Sequence, residues 1–224
     1  MPQQHTLPEN TISRRSFLKQ SLVLPGALLI ASCAAPASTT GPSVHPASSP
    51  QAATTPQAQA TISDILCVTG TPTPSQTEGP FYKPGSPERT SLREPGLTGT
   101  PLTVSGYVFS TTCQLIPHAW LDFWHADSNG NYDNTGFKLR GHQYTDNQGH
   151  YFLQTIVPGE YHGRTRHIHV KVQAPGQPIL TTQLYFPGEP RNDSDGIFAP
   201  ELLMHVQNTP NGQLATFNFM LAVQ

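Results

Sequence analysis

The sequence predicts an all-β protein: a β-sandwich core of mostly antiparallel strands, preceded by a signal peptide and a disordered linker. Three observations lead there. Gly 18 and Pro 23 are spread through 224 residues, so long uninterrupted helices cannot dominate. Short β-rich runs recur beyond residue 61, punctuated by Gly, Pro, Asn and Asp clusters. No helix-length apolar period lies between those runs, so strand–helix–strand units are not expected. Charged residues are only 12% and the net charge is -2. That excludes a coiled coil, a charge-driven disordered chain and a nucleic-acid footprint.

The N-terminal part reads separately. Residues 1–60 hold one acid, Glu9, and three bases, Arg14, Arg15 and Lys19. Arg14 and Arg15, with Ser16-Phe17-Leu18-Lys19, precede an apolar run from Leu22 to Ala31. The run is shorter than the roughly 20 residues a bilayer span needs, and it resembles a twin-arginine export signal. Ile30-Ala31-Ser32-Cys33 resembles a lipoprotein box, with Cys33 as the lipidated residue of the mature chain. Residues 1–33 are thus expected to be the signal. Residues 34–60 are expected to be a disordered tether: 21 of these 27 are Ala, Pro, Ser or Thr, too little apolar matter for a core. The expected location is outside the cytoplasmic membrane, lipid-anchored or in the periplasm, and residues 61–224 form the folded domain. Cys67 and Cys113 remain, and an oxidising compartment allows a disulfide without requiring one.

The expected strands are Leu102–Phe109, Ala119–His125, His150–Ile156, His167–Val172, Ile179–Phe186 and Ala215–Ala222. Turn chemistry separates them, as in residues 127–131, 146–149, 158–159, 187–188 and 192–196.

The chemistry starts at Arg166-His167-Ile168-His169-Val170-Lys171-Val172. On a strand Ile168, Val170 and Val172 share one face, and His167, His169 and Lys171 the other. Imidazoles two residues apart stand about 6.6 Å apart along the strand and can converge on one ion. Alone, the pair also reads as two solvated histidines. Tyr132 and Tyr161 lie beside turns at strand ends, where sites are usually built. Two Tyr with a His-x-His suggest a hard, highly charged metal, and Fe(III) suits phenolate oxygen with imidazole nitrogen. Zinc motifs, a complete Ca²⁺ loop, phosphate loops and the nucleophile elbow are absent from the sequence.

Several ordered segments carry a family resemblance. They are Thr77-Glu-Gly-Pro-Phe-Tyr82, residues 117–127, Gly130-Asn-Tyr132, Thr145-Asp-Asn-Gln-Gly149, residues 155–161, Arg164-Thr-Arg-His-Ile-His169 and Thr182-Gln183. From about Thr71 to Pro200 the chain resembles the intradiol ring-cleavage dioxygenases of catechol and protocatechuate type. The resemblance implies a β-sandwich holding one Fe(3+) per chain, with Tyr132, Tyr161, His167 and His169 as ligands. It implies Arg164 as the active-site arginine and Gln183 as a supporting glutamine. The implied substrates are a small aromatic ortho-diphenol and O2. The ring is cleaved between the two hydroxyl-bearing carbons, giving a cis,cis-muconate-type diacid. Tyr161 would leave the metal and take a substrate proton, and Arg164 would steady developing negative charge. His125 and His142 would orient ligands or be ordinary polar surface residues.

Two departures stand out. Five residues separate Tyr161 from His167, a short wall for the site. Before residue 61 stand a signal and tether rather than the helical dimerisation region of the catechol branch. The reading leaves room for a homo-oligomer, gives no nucleic-acid partner, and touches a membrane only through Cys33. The alternative is an exported metal- or ligand-binding β-sandwich module without turnover.

Overall fold

The computed structural model describes residue 67 and residues 70–223. The expected signal at 1–33, with Cys33, and the tether at 34–60 lie outside the described residues. The described residues belong to the compact unit Thr55–Gln224.

Its strands are β1 (Pro101–Ser110), β2 (Trp120–Trp124), β3 (Arg140–Tyr144), β4 (His150–Ile156) and β5 (His167–Gln173). They continue with β6 (Leu180–Tyr185), β7 (His205–Thr209), β8 (Gly212–Thr216) and β9 (Phe219–Leu221). One sheet runs β4-β1-β8-β7, with β9 also on β1, and the other runs β3-β2-β5-β6. Pairing is antiparallel except where β1 meets β8 and β9.

The sheets close on one apolar core. Leu102, Val104 and Val108 of β1 and Leu153 of β4 come from one side. Leu121 and Phe123 of β2 and Ile168, Val170 and Val172 of β5 come from the other. Each buried aliphatic or aromatic side chain contributes roughly 1.5–3 kcal/mol. Strand alternation then forces the odd-numbered residues of β5, His167 and His169, to the opposite face of their sheet.

A strap, residues 77–92, covers that opposite face. The Tyr82 and Ser86 hydroxyls donate to the buried Asp122 carboxylate at 3.2 and 2.7 Å. The His142 N–H donates to Pro87 O, and the Arg89 N–H to His142 O. Lys171 pairs with Glu78. On this face Asp122, His142 and Lys171 therefore find their partners in the strap.

Two strands fall outside the sequence expectation. β3 is almost wholly polar, and β7 is an edge strand whose residues are exposed or half-buried. The expected strand Ala215–Ala222 is two strands, β8 and β9, broken at Phe217. The break fits because residue 106 is Gly: a β-carbon there would stand 1.8 Å from Phe217 O. Cys67 and Cys113 form a disulfide, with Cα atoms 5.7 Å apart. Among the described residues no helix is long and apolar enough to cross a membrane.

Candidate metal centre

Strand register assembles the first half of the site. Arg140 of β3 pairs with Trp124 of β2, Trp124 with His169 of β5, and His169 with Gln183 of β6. The four side chains form one row across the sheet, on the face away from the core. The Trp124 ring stacks on His169 at 4.8 Å and 6°. From the strap, a β-carbon on Gly79 would lie only 3.5 Å from the His169 ring.

The two imidazoles converge. His167 Nε2 stands 3.1 Å from His169 Nε2. His167 Nδ1 donates to Thr165 O at 2.7 Å, which leaves the lone pair on Nε2. Burial drives the His167 pKa down to about 4. Burial also lowers that of His169 well below its ordinary value, with further lowering from neighbouring His167 and Arg164. Both rings are neutral at neutral pH and offer lone pairs.

Two docked turns bring the phenols alongside. The Asp127 carboxylate accepts the N–H groups of Asn129 and Asn131 at 2.9 and 3.0 Å. Asp127 O accepts the N–H of Gly130 and that of Gly159, tying the turn before Tyr132 to the turn before Tyr161. A β-carbon on Gly159 would lie 2.4 Å from Gly130 N, so the two backbones touch. Tyr132 and Tyr161 then meet edge to face at 5.4 Å, and the Tyr132 ring is 6.4 Å from His169. Phe81 of the strap stacks on Tyr132 at 4.5 Å and meets Tyr161 edge-on at 5.0 Å. Burial raises the Tyr132 phenol above its ordinary range, and the charges of Arg140 and Arg164 oppose that rise.

The short wall after Tyr161 is a tight turn. His162 and Gly163 have φ of 40° and 79°, and the Arg164 N–H donates to Tyr161 O at 2.7 Å. Two successive positive φ values are the pattern of a type I′ turn. It reverses the chain at once, so Tyr161 and Arg164 stand side by side.

Arg164 is held from three sides. Its Nε donates to Asp195 Oδ2 at 2.7 Å, and its Nη2 to Gln183 Oε1 at 2.8 Å and Tyr185 Oη at 3.4 Å. Gln183 is fully buried and donates through Nε2 to Thr77 O, which ties β6 to the strap. Asp195 also accepts the Thr165 N–H at 2.9 Å. Burial pulls the Asp195 carboxyl upward, but the Arg164 hydrogen bond, the Thr165 and Ile197 N–H groups and the Arg164 charge outweigh it and hold the carboxyl below its ordinary value.

All six residues predicted from sequence, Tyr132, Tyr161, Arg164, His167, His169 and Gln183, thus lie in one connected cluster. His125 and His142 do not sit on an exposed surface. His125 is buried between Ala126 O at 2.7 Å and the Thr155 hydroxyl at 2.6 Å, and His142 bonds Ser86 O at 2.7 Å. Sequence reasoning missed Asp195, Tyr185, Phe81, Trp124 and Arg140. Asp195 lies in a turn-forming run that gives no hint of an arginine partner.

The donor set fits a hard trivalent cation. Among the described residues no three His, Cys, Asp or Glu side chains come together as a metal site, so the tyrosines must complete any site here. His169 Nδ1 is buried without a hydrogen-bond partner, and its Nε2 faces another imidazole. The hydrogen bond of the ring is thus to the other candidate ligand, so metal binding would cost it no bond to the rest of the fold. Beside the phenols lies a depression of about 380 Å³ lined by Phe81, Tyr132, Tyr161, His162, Glu160 and Asn residues.

A two-sheet sandwich gathering two phenols and a His-x-His pair at one sheet end defines a class, the ring-cleavage dioxygenases of intradiol type. The family model described as Dioxygenase matches residues 77–221, and the chain belongs to this family. It is 34% identical over 155 residues to a catechol 1,2-dioxygenase of Acinetobacter guillouiae, across 57% of this chain and 51% of the relative. It is 29% identical over 207 residues to a chlorocatechol 1,2-dioxygenase of Rhodococcus opacus, across 73% and 77%. The chain spans about half the length of the catechol 1,2-dioxygenases it matches. Among solved structures it is similar to the dioxygenase domain of a dioxygenase carbohydrate-binding protein fusion from Streptomyces sp. SirexAA-E. That match has a TM-score of 0.67 and 59% identity, over 69% of this chain and 100% of that one. The 3-chlorocatechol 1,2-dioxygenase from Rhodococcus opacus 1CP matches with a TM-score of 0.63 and 27% identity, over 67% and 73%.

Proposed function

We propose that the chain is a ferric intradiol dioxygenase that opens the ring of a catechol-like ortho-diphenol between its hydroxyl-bearing carbons. Both atoms of O2 end in the two carboxyl groups of a cis,cis-muconate-type diacid. The observation that carries this is the convergence of His167 Nε2 and His169 Nε2, 3.1 Å apart, beside paired Tyr132 and Tyr161 rings. Dioxygenase relatives that act on catechols, chlorocatechols and hydroxyquinol support the substrate class.

Tyr132, Tyr161, His167 and His169 would hold one Fe(3+) per chain. When bound there, the ion would supply Lewis acidity that favours the ionised form of the diphenol. The protein's share is to bind, orient and move protons. His167 and His169 stay neutral donors because burial opposes their protonation. Tyr132 is packed against Phe81 and stays in place. Tyr161 borders the depression and the tight turn, and its phenolate oxygen takes a proton from the incoming diphenol. Arg164, aimed by Asp195 and Gln183, steadies negative charge as the ring opens. Strap residue Phe81 walls the site and limits water.

Location belongs to the same proposal. Arg14-Arg15 and Cys33 favour export by a twin-arginine route and lipid anchoring outside the cytoplasmic membrane. The Cys67–Cys113 disulfide supports an oxidising compartment. Fractionation tests this: Cys33→Ala should release the protein from membranes, and Lys at positions 14 and 15 should block export. The enzyme reading is tested by oxygen uptake over catechol, protocatechuate, hydroxyquinol and larger diphenols with the product identified.

A further inference from the structure

Arg140 is a buried charge without a carboxylate. It is 2% exposed, among the largest fully enclosed side chains of the protein. Its guanidinium donates only to carbonyl oxygens: Nη1 to Phe81 O at 2.6 Å, and Nε and Nη2 to Asp133 O at 3.1 and 3.0 Å. The ion pairs among the described residues join Arg89, Arg164, Arg166, Lys171 and Arg191 to acids, and none includes Arg140. Asp133 lies nearby, but its carboxylate is turned to the N–H groups of Thr135, Gly136 and Lys138. Asp122 acts at longer range, with its oxygens bonded to Ser86 and Tyr82.

A guanidinium does not shed its proton in a protein, so this charge persists out of water beneath the strap. An isolated buried charge is costly unless an opposite charge faces it. The group that faces it is the Tyr132 ring, whose centroid lies 6.0 Å from the guanidinium carbon. The three hydrogen bonds have a matching logic. One carbonyl belongs to Asp133, next in chain to Tyr132, and the other to Phe81, whose ring stacks on Tyr132. Arg140 thus grips both the backbone that carries the Tyr132 ring and the ring that packs against it.

We propose that Arg140 is a positioning residue for the metal site: it fixes Tyr132 in place and supplies the positive charge that compensates Tyr132 as an anionic ligand. The proposal rests on the ferric reading above. It assigns part of the stability cost of a buried arginine without an ion pair to the site rather than to the fold: the Asp133 and Asp122 carboxylates act on Arg140 without bonding it, and a phenolate at Tyr132 would add the anion against which its guanidinium is packed.

The test uses the full chain loaded with ferric ion and reads the visible tyrosinate-to-iron charge-transfer band. Arg140→Gln removes the charge and keeps some donors; without the charge the phenolate electrons lie higher, so the band should move to longer wavelength. Arg140→Lys keeps the charge and should leave the band near its original place. In a Tyr132→Phe background, where only the Tyr161 band remains, Arg140→Gln should no longer move it. Circular dichroism reports whether each variant folds. Should Arg140→Gln not fold, Arg140→Lys decides alone: a band held in place supports the proposal, and a displaced band overturns it. An unmoved band in folded Arg140→Gln, or an equal shift in the Tyr132→Phe background, also overturns it. Absence of any visible band in the unmutated ferric-loaded protein would instead overturn the ferric reading.

Discussion

A β-carbon on Gly130 would stand 2.0 Å from the carbonyl oxygen of Glu160. The turn that precedes Tyr132 and the residue that precedes Tyr161 are therefore in backbone contact, and only hydrogen fits between them. Gly130 also has φ of 83°, a conformation other residues adopt at a cost. The distance between the two phenols is set by this contact rather than by the rings themselves.

Gly130→Ala should therefore separate the turns. The expected loss of stability is about 2 kcal/mol or more, from clash and backbone strain together. Iron content should fall with it, because Tyr132 and Tyr161 no longer face one point. Thermal melting and metal analysis on the same preparation check both effects.

Arg164→Ala should leave the iron colour largely intact and lower kcat by ~10²–10³-fold, the order found for a deleted electrostatic stabiliser. Asp195→Asn should act through Arg164 and produce a smaller loss in kcat with the same colour. Steady-state kinetics beside the visible spectrum separates these outcomes from a damaged metal site.

Asp195 also ties stability to pH. Its folded pKa is depressed, so the unfolded chain binds the proton more readily. The contribution is present above the ordinary aspartate pKa and is lost as pH falls through the lower folded value. Asp195→Asn should flatten that acid limb of a stability–pH curve measured by denaturant midpoint.

His125 acts at higher pH. Burial lowers its pKa from 6.5 to about 4, against a smaller upward pull from Ala126 O. Between those values the unfolded chain takes up a proton that the folded chain refuses, so stability falls as pH drops from about 6.5 to about 4. At the lower end the loss is roughly 3 kcal/mol. In metal-free protein the buried His167 and His169 add to the same slope, so His125→Gln should remove one proton's share of it; an unchanged slope would assign it to those two.

The disulfide closes a sequence separation of 46 residues. A loop of that length constrains the unfolded chain by roughly 4 kcal/mol in the chain-entropy treatment. Reducing agent, or Cys113→Ser, should lower the denaturant midpoint correspondingly with the visible spectrum preserved.

The parts legible in sequence are those where one local rule suffices. Alternation along β5 separates Ile168, Val170 and Val172 from His167 and His169, and the core takes the first set. Turn residues announce where Tyr132 and Tyr161 sit. β3 is not legible, because Arg140, His142 and Gln143 show no apolar alternation; Arg140 and His142 bond the strap, and Gln143 Oε1 accepts the Phe152 N–H. Asp195 is not legible either: its run reads as a turn, and its partner Arg164 is 31 residues away in sequence. His125 looks polar and is buried, since Ala126 O and Thr155 absorb its ring nitrogens. Contacts made across sheets and loops, rather than along them, are what local pattern cannot carry.

The most direct test of the central claim is oxygen uptake by the ferric-loaded chain with catechol, followed by product identification. Consumption of one O2 per diphenol with a cis,cis-muconate-type diacid as product is the predicted result. A semialdehyde product, or no uptake with any ortho-diphenol by fully loaded protein, would contradict it.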